Sequence, residues 1–169
     1  MRKQVLFTEL ELLNKVGEIA FNLKKREHNL PPVFICVLNG AFMFFTDLVK
    51  HVGECEIDFI NAKSYQGTTQ GDIKIINSIT VDIEGKDVYL VDDIYDSGNT
   101  IKLLIQHLKA YNPKSITPIT LFKQCYSDNP DLIYGFELDG ENWLVGYGLD
   151  DEKGLKRNLK HILGIPKED

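Results

Sequence analysis

The 169-residue sequence predicts an α/β fold, a mostly parallel central sheet flanked by helices, with ligands bound at the carboxyl ends of the strands. Three observations carry this. Short runs rich in β-branched and aromatic residues, Val88 to Val91 foremost, have the continuous apolarity of strands covered on both faces. Stretches with apolar residues at helical spacing follow them, as Ile101, Leu104, Ile105 and Leu108 do. Acidic or glycine-bearing turns join the two kinds of segment.

The chain is long enough for one domain with a sizeable core, so 1–169 is expected to fold as a unit. No apolar run approaches the roughly 20 residues of a membrane span. The charged start Met1-Arg2-Lys3-Gln4 leads into an amphipathic helix rather than the apolar block of a signal peptide. A cytoplasmic protein with no membrane partner is expected. The net charge of −6 argues against a broad nucleic-acid footprint. Cys36, Cys55 and Cys125 are scattered without metal-ligand spacing, which predicts buried free thiols and no zinc or redox chemistry.

Thr8-Glu9-Leu10-Glu11 has the capping-box pattern, and Leu10, Leu13, Val16, Ala20 and Leu23 mark an apolar helical face behind it. Pro31 and Pro32 are expected to end that helix. Val33 to Leu38 reads as the first central strand, turned by Asn39-Gly40 into a helix starting around Ala41 to Phe45. The alternation around Ile57 and Phe59, and that of Ile73 to Ile76, predicts a long hairpin. Its tip, Lys63 to Gly71, is polar and glycine-bearing, the composition of a mobile loop.

The chemistry concentrates in Val-Tyr-Leu-Val-Asp-Asp-Ile-Tyr-Asp-Ser-Gly-Asn-Thr, Val88 to Thr100. Two carboxylates are expected to stop the strand, and a helix opens near Thr100. A helix N-terminus preceded by Ser97, Gly98, Asn99 and Thr100 offers free backbone N–H groups, hydroxyls and close backbone approach to a phosphate monoester. Asp92, Asp93 and Asp96 repel phosphate, so they are expected to face sugar hydroxyls, a divalent cation or a proton to be removed. Together these point to a ribose phosphate. Further on, Asn112-Pro113-Lys114 turns the chain into a strand over Ser115 to Phe122 ending at Lys123, with Pro118 inside it.

This central stretch resembles the phosphoribosyl pyrophosphate signature of the type I phosphoribosyltransferases, and Asp96 is similar to the 6-oxopurine branch, the hypoxanthine-guanine phosphoribosyltransferases. Further matches extend the resemblance from about Val33 to Leu159. It implies the type I phosphoribosyltransferase fold, with a small hood and a mobile hairpin lid. It also implies phosphoribosyl transfer to a 6-oxopurine with Mg²⁺, by a homodimer or homotetramer that uses only small-molecule substrates.

Residue by residue, the resemblance implies that Asp96 shares the proton on purine N7. Asp92 and Asp93 hold ribose hydroxyls and metal, and Ser97 to Thr100 hold the 5′-phosphate. Leu38, Asn39 and Gly40, with a cis bond from Leu38 to Asn39, meet pyrophosphate together with Arg157. Asn39 departs from the family, which usually has Lys or Arg there. Lys63, Ser64 and Tyr65 belong to the lid. Lys123 donates to the exocyclic oxygen on C6 of the base, Trp143 stacks on the ring, and the Leu144 backbone reads its edge. The second metal ligand is Asp150 or, since Arg157 stands one residue further on than expected, Asp151. Two other readings share this pattern. One is a xanthine-guanine phosphoribosyltransferase; the other is a nucleotide-sensing, RNA-binding regulator, against which the net charge and the full set of acids count.

Overall fold

The computed structural model describes residues 4–65 and 72–167, with the backbone alone at 63–65, 72 and 73. The chain runs through β1 (Gln4–Phe7), α1 (Glu9–Lys24), β2 (Val33–Leu38), α2 (Phe42–Val49), β3 (Glu56–Tyr65) and β4 (Asp72–Ile75). It continues through β5 (Asp87–Tyr95), α3 (Asn99–Lys109), β6 (Ser115–Gln124), β7 (Ile133–Leu138), β8 (Asn142–Val145) and β9 (Ile162–Pro166). The main sheet has the order β4-β3-β2-β5-β6-β7. Every neighbouring pair in it is parallel except the β3–β4 hairpin. A second, antiparallel sheet, β1-β9-β8, joins the two ends of the chain.

Alternation along the central strands fills two cores. Phe34, Cys36, Tyr89, Val91, Ile119 and Leu121 pack with α1 and α2, while Ile35, Val37, Val88 and Leu90 pack with α3. The capping box of α1 is present: Glu11 N donates to Thr8 Oγ1 at 3.3 Å, and Thr8 N donates to Glu11 Oε2 at 2.8 Å. Its buried stripe is Leu12, Val16, Ile19, Ala20 and Leu23, whereas Leu10 and Leu13 face solvent. The helix also stops at Lys24, before Pro31 and Pro32. The loop between them is held by His28, whose Nδ1 lies 2.9 Å from Asp87 Oδ2.

The carboxylates do not stop the central strand. β5 continues through Asp92 and Asp93 to Tyr95, because β6 offers backbone partners as far as Tyr95↔Lys123. Strand pairing depends on those partners and not on side-chain polarity. Pro118 lies within β6, where β5 pairs with it but β7 begins only at Ile119. One side of the strand is therefore open at the residue that lacks an N–H. Of the three free cysteines, only Cys36 is buried; Cys55 is half-buried and Cys125 exposed. Burial first, then the charges of Asp92 and Asp93, push the Cys36 thiol up to about 12, which makes it inert.

The hairpin formed by β3 and β4 is fixed at its base. Asn77 accepts from Asn61 N at 2.7 Å and donates to Phe59 O at 2.9 Å. The buried Asp58 accepts from Phe59 N at 2.7 Å and from Val81 N at 3.0 Å, and also from Thr80 N. Burial alone would raise the Asp58 carboxyl, but these N–H donors outweigh it and hold it below its ordinary value. Asp58→Ala is expected to cost about 2–4 kcal/mol, since it strands buried donors, and a urea midpoint measures this. The contribution of Asp58 should be complete above about pH 4 and fade as pH falls further. A midpoint difference between wild type and variant that does not change between pH 7 and pH 3 would contradict this account.

Candidate active site

The parallel strands deliver their ends to one rim of the sheet, and three loops meet there. At the end of β2 the Leu38–Asn39 peptide is cis, and the chain turns through Gly40 into α2. A methyl group on Gly40 would overlap the Asp93 carboxylate. A methyl on Gly148, whose φ is 105°, would overlap the Gly40 carbonyl. Gly40 thus lets the Asp93 side chain lie against the turn after β2, and Gly148 lets the backbone after β8 lie directly on that turn. Tyr147 secures that approach by donating to Asp47 of α2 at 2.8 Å. Arg157 completes the cluster: Nη1 donates to Gly148 O at 2.7 Å, and Nη2 lies 2.6 Å from Asp150 Oδ2.

Asp150 and Asp151 have different partners. Asp151 accepts from the backbone N–H groups of Lys153 and Leu155, each at 3.0 Å, and from the Lys156 ammonium. The Lys156 bond, foremost, holds its carboxyl down to about 2. Asp151 therefore closes its own loop, whereas Asp150 faces the guanidinium of the cluster.

Asp92 is buried and Asp93 half-buried. Each has one oxygen occupied, Asp92 Oδ1 by Asp93 N at 2.8 Å and Asp93 Oδ1 by Ile94 N at 2.6 Å. Burial raises both carboxyls; the Asp93 charge raises Asp92 further, while Arg157 lowers Asp93. Such a pair calls for positive charge or hydroxyl donors. Next to it, α3 begins at Gly98 in the left-handed conformation, φ 76°, with no side-chain cap and no acid in its first turn. A methyl there would overlap the buried Tyr95 hydroxyl, so the position requires glycine. The N–H groups of this helix start, among which Asn99 N donates to Ser97 Oγ at 3.4 Å, and the Ser97, Asn99 and Thr100 side chains have the chemistry to receive an anion.

Asp96 projects from the same loop, with the Tyr126 hydroxyl donating to its Oδ1 and the Ser127 hydroxyl to its carbonyl. Lys123 stands one residue before the end of the neighbouring strand β6. Its Nζ donates to Glu137 Oε2 at 2.9 Å and lies 5.2 Å from the centre of the Tyr134 ring. The Glu137 bond raises the lysine above its ordinary value. An ammonium with three N–H groups retains two for a ligand. Trp143, 65% exposed, lines a cavity of about 280 Å³ with Leu144, Asp150 and Ile165. Neither Glu137 nor Tyr126 is marked by any sequence motif. The backbone of Lys63, Ser64 and Tyr65 continues β3 and pairs with β4. Their side chains, and the tip at 66–71, lie outside the described residues. Among the described residues, no group of three or more metal-ligating side chains is present.

Comparison with known families decides what this rim belongs to. The family described as "Phosphoribosyl transferase domain" matches residues 6–152. The chain belongs to that family. A hypoxanthine-guanine phosphoribosyltransferase of Bacillus subtilis is 35% identical over 95% of this chain and 91% of its own. A hypoxanthine-guanine-xanthine phosphoribosyltransferase of Tritrichomonas foetus is 35% identical over 98% and 92%. The crystal structure of a hypoxanthine-guanine phosphoribosyltransferase from Bacillus anthracis superposes with a TM-score of 0.88 at 36% identity, covering 98% of this chain and 99% of that one. The phosphoribosyltransferase fold is therefore the fold of this chain.

Proposed function

We propose that the protein transfers the 5-phosphoribosyl group of phosphoribosyl pyrophosphate to N9 of a 6-oxopurine, yielding the nucleoside 5′-monophosphate and pyrophosphate in purine salvage. The observation that carries this reading is the start of α3, without a side-chain cap from Gly98, beside the Asp92–Asp93 pair, with the Arg157 charge near enough to lower Asp93. Phosphate, vicinal hydroxyls and a second anion each find a chemical complement there. Relatives named for hypoxanthine, guanine and xanthine support the class of base.

In this reading Ser97, Gly98, Asn99 and Thr100 bind the 5′-phosphate, and Asp92 and Asp93 accept from the ribose hydroxyls. The Leu38, Asn39 and Gly40 backbone and Arg157 receive pyrophosphate, with no cation at Asn39. Trp143 stacks on the base, Leu144 reads its edge, and Lys123 donates to the oxygen on C6. Asp96 takes the N7 proton as N9 attacks. Lys63, Ser64 and Tyr65 close over the reacting atoms and exclude water, which would otherwise capture the cationic ribose. Catalysis is then mostly positioning and electrostatics.

The residues fit Mg²⁺. The Asp92–Asp93 pair resists carrying two charges without a cation, and Asp150 has a carboxylate at the same rim. Mg²⁺ typically takes one or two carboxylates and fills its other positions with substrate oxygens and water, so a dense ligand cluster is not required. When bound, it would neutralise charge developing on the leaving pyrophosphate. A homo-oligomer in the cytoplasm completes the proposal; among the described residues no helix is long and apolar enough to cross a membrane. Incubation with phosphoribosyl pyrophosphate, Mg²⁺ and each of hypoxanthine, guanine and xanthine tests it. At least one should give nucleoside monophosphate and an equal amount of pyrophosphate. No product from any of the three refutes the assignment.

A further inference from the structure

The loop that follows β6 grips Asp96 at two points. The Tyr126 hydroxyl donates to carboxylate oxygen Oδ1, and the adjacent Ser127 hydroxyl donates to the Asp96 carbonyl. Ser127 N donates to Gln124 O at 3.0 Å, and this turn carries Tyr126 only three residues beyond Lys123. The Tyr126 ring is 64% exposed, so its burial contributes little to the core and its directed bond is not a by-product of packing. The Asp96 bond, foremost, pushes the phenol up to about 12, so Tyr126 remains a donor at neutral pH.

An exposed carboxylate on a loop otherwise samples several rotamers, while proton transfer needs it within hydrogen-bond reach of N7. We propose that Tyr126 is a positioning residue for the reaction: its hydroxyl occupies Oδ1 of Asp96 and presents Oδ2 to the purine. The inference rests on the phosphoribosyl transfer described above. It also ties two functions in one piece of chain. Lys123, which meets the base, and Tyr126, which orients the proton acceptor, stand three residues apart where β6 ends at Gln124.

The test is a double-mutant cycle on purified full-length protein, using Tyr126→Phe, Asp96→Asn and the pair. Loss of a hydrogen bond to a charged group predicts that Tyr126→Phe lowers kcat by about 10-fold or more, with KM for phosphoribosyl pyrophosphate within about 2-fold. In the Asp96→Asn background the same change should do almost nothing, since an amide takes no proton whichever way it points. A merely structural tyrosine would cost the same factor in both backgrounds, and that outcome overturns the proposal. So does an unchanged kcat in the single variant. Wild-type protein inactive with every 6-oxopurine overturns the parent reading and this inference with it. Active wild type with an indifferent Tyr126→Phe overturns this inference alone.

Discussion

Asp96→Asn is expected to lower kcat by about 10²-fold or more, the usual scale for loss of a general acid–base group. The substitution is nearly isosteric, and the Asn oxygen can still accept from Tyr126, so the loop and the helix start behind it should keep their shape. In the proposed reading, binding of phosphoribosyl pyrophosphate depends on the α3 start and the Asp92–Asp93 pair, neither of which loses an atom. Its KM should therefore stay within a few-fold of wild type, which makes this a defect of chemistry rather than of binding. Single-turnover measurement is the right assay, because product release can hide a slower chemical step. Wild-type single-turnover rates in the variant would remove Asp96 from the mechanism.

The parts of this architecture that the sequence makes legible are local, and the parts it hides depend on distant partners. Val33 to Leu38 is read to the residue because its apolarity begins and ends with the strand. The end of β5 is misread at Asp92 because side-chain polarity changes there while the backbone partner in β6 continues. In α1 the expected and the buried stripes share Val16, Ala20 and Leu23; contact with α2 and β7 selects Leu12 and Ile19 over Leu10 and Leu13. Strands β1 and β9 pair across nearly the whole chain, so no window of sequence contains both. The site divides in the same way. Ser97 to Thr100 is visible as a motif because the whole helix start lies within one turn of sequence. Tyr126, Glu137 and Asp47 bond to Asp96, Lys123 and Tyr147, all remote in sequence, so these contacts appear once the chain is folded.

Base choice should be the largest effect the site produces. Hypoxanthine and guanine present an oxygen at C6, which can accept from Lys123, whereas adenine presents an amino group that meets the ammonium donor to donor. Glu137 sharpens this, since its carboxylate keeps Lys123 protonated and fixes its direction at 2.9 Å while leaving two N–H groups for the base. A site built to hydrogen-bond one group rejects an analogue lacking it by about 10⁴-fold, because the polar partner is left unpaired. Trp143 stacks on any purine and so adds affinity without discrimination. Strong turnover of a 6-oxopurine with negligible turnover of adenine is therefore expected. Lys123→Ala should lower kcat/KM for the 6-oxopurine by about 10²-fold and leave adenine nearly unchanged, so that the ratio between them falls from about 10⁴ to about 10². The measurement is kcat/KM for adenine and hypoxanthine in both proteins. Comparable values for the two bases in the wild type would refute the role of Lys123 and the 6-oxopurine assignment together. A ratio that survives Lys123→Ala would move discrimination to another group on the rim.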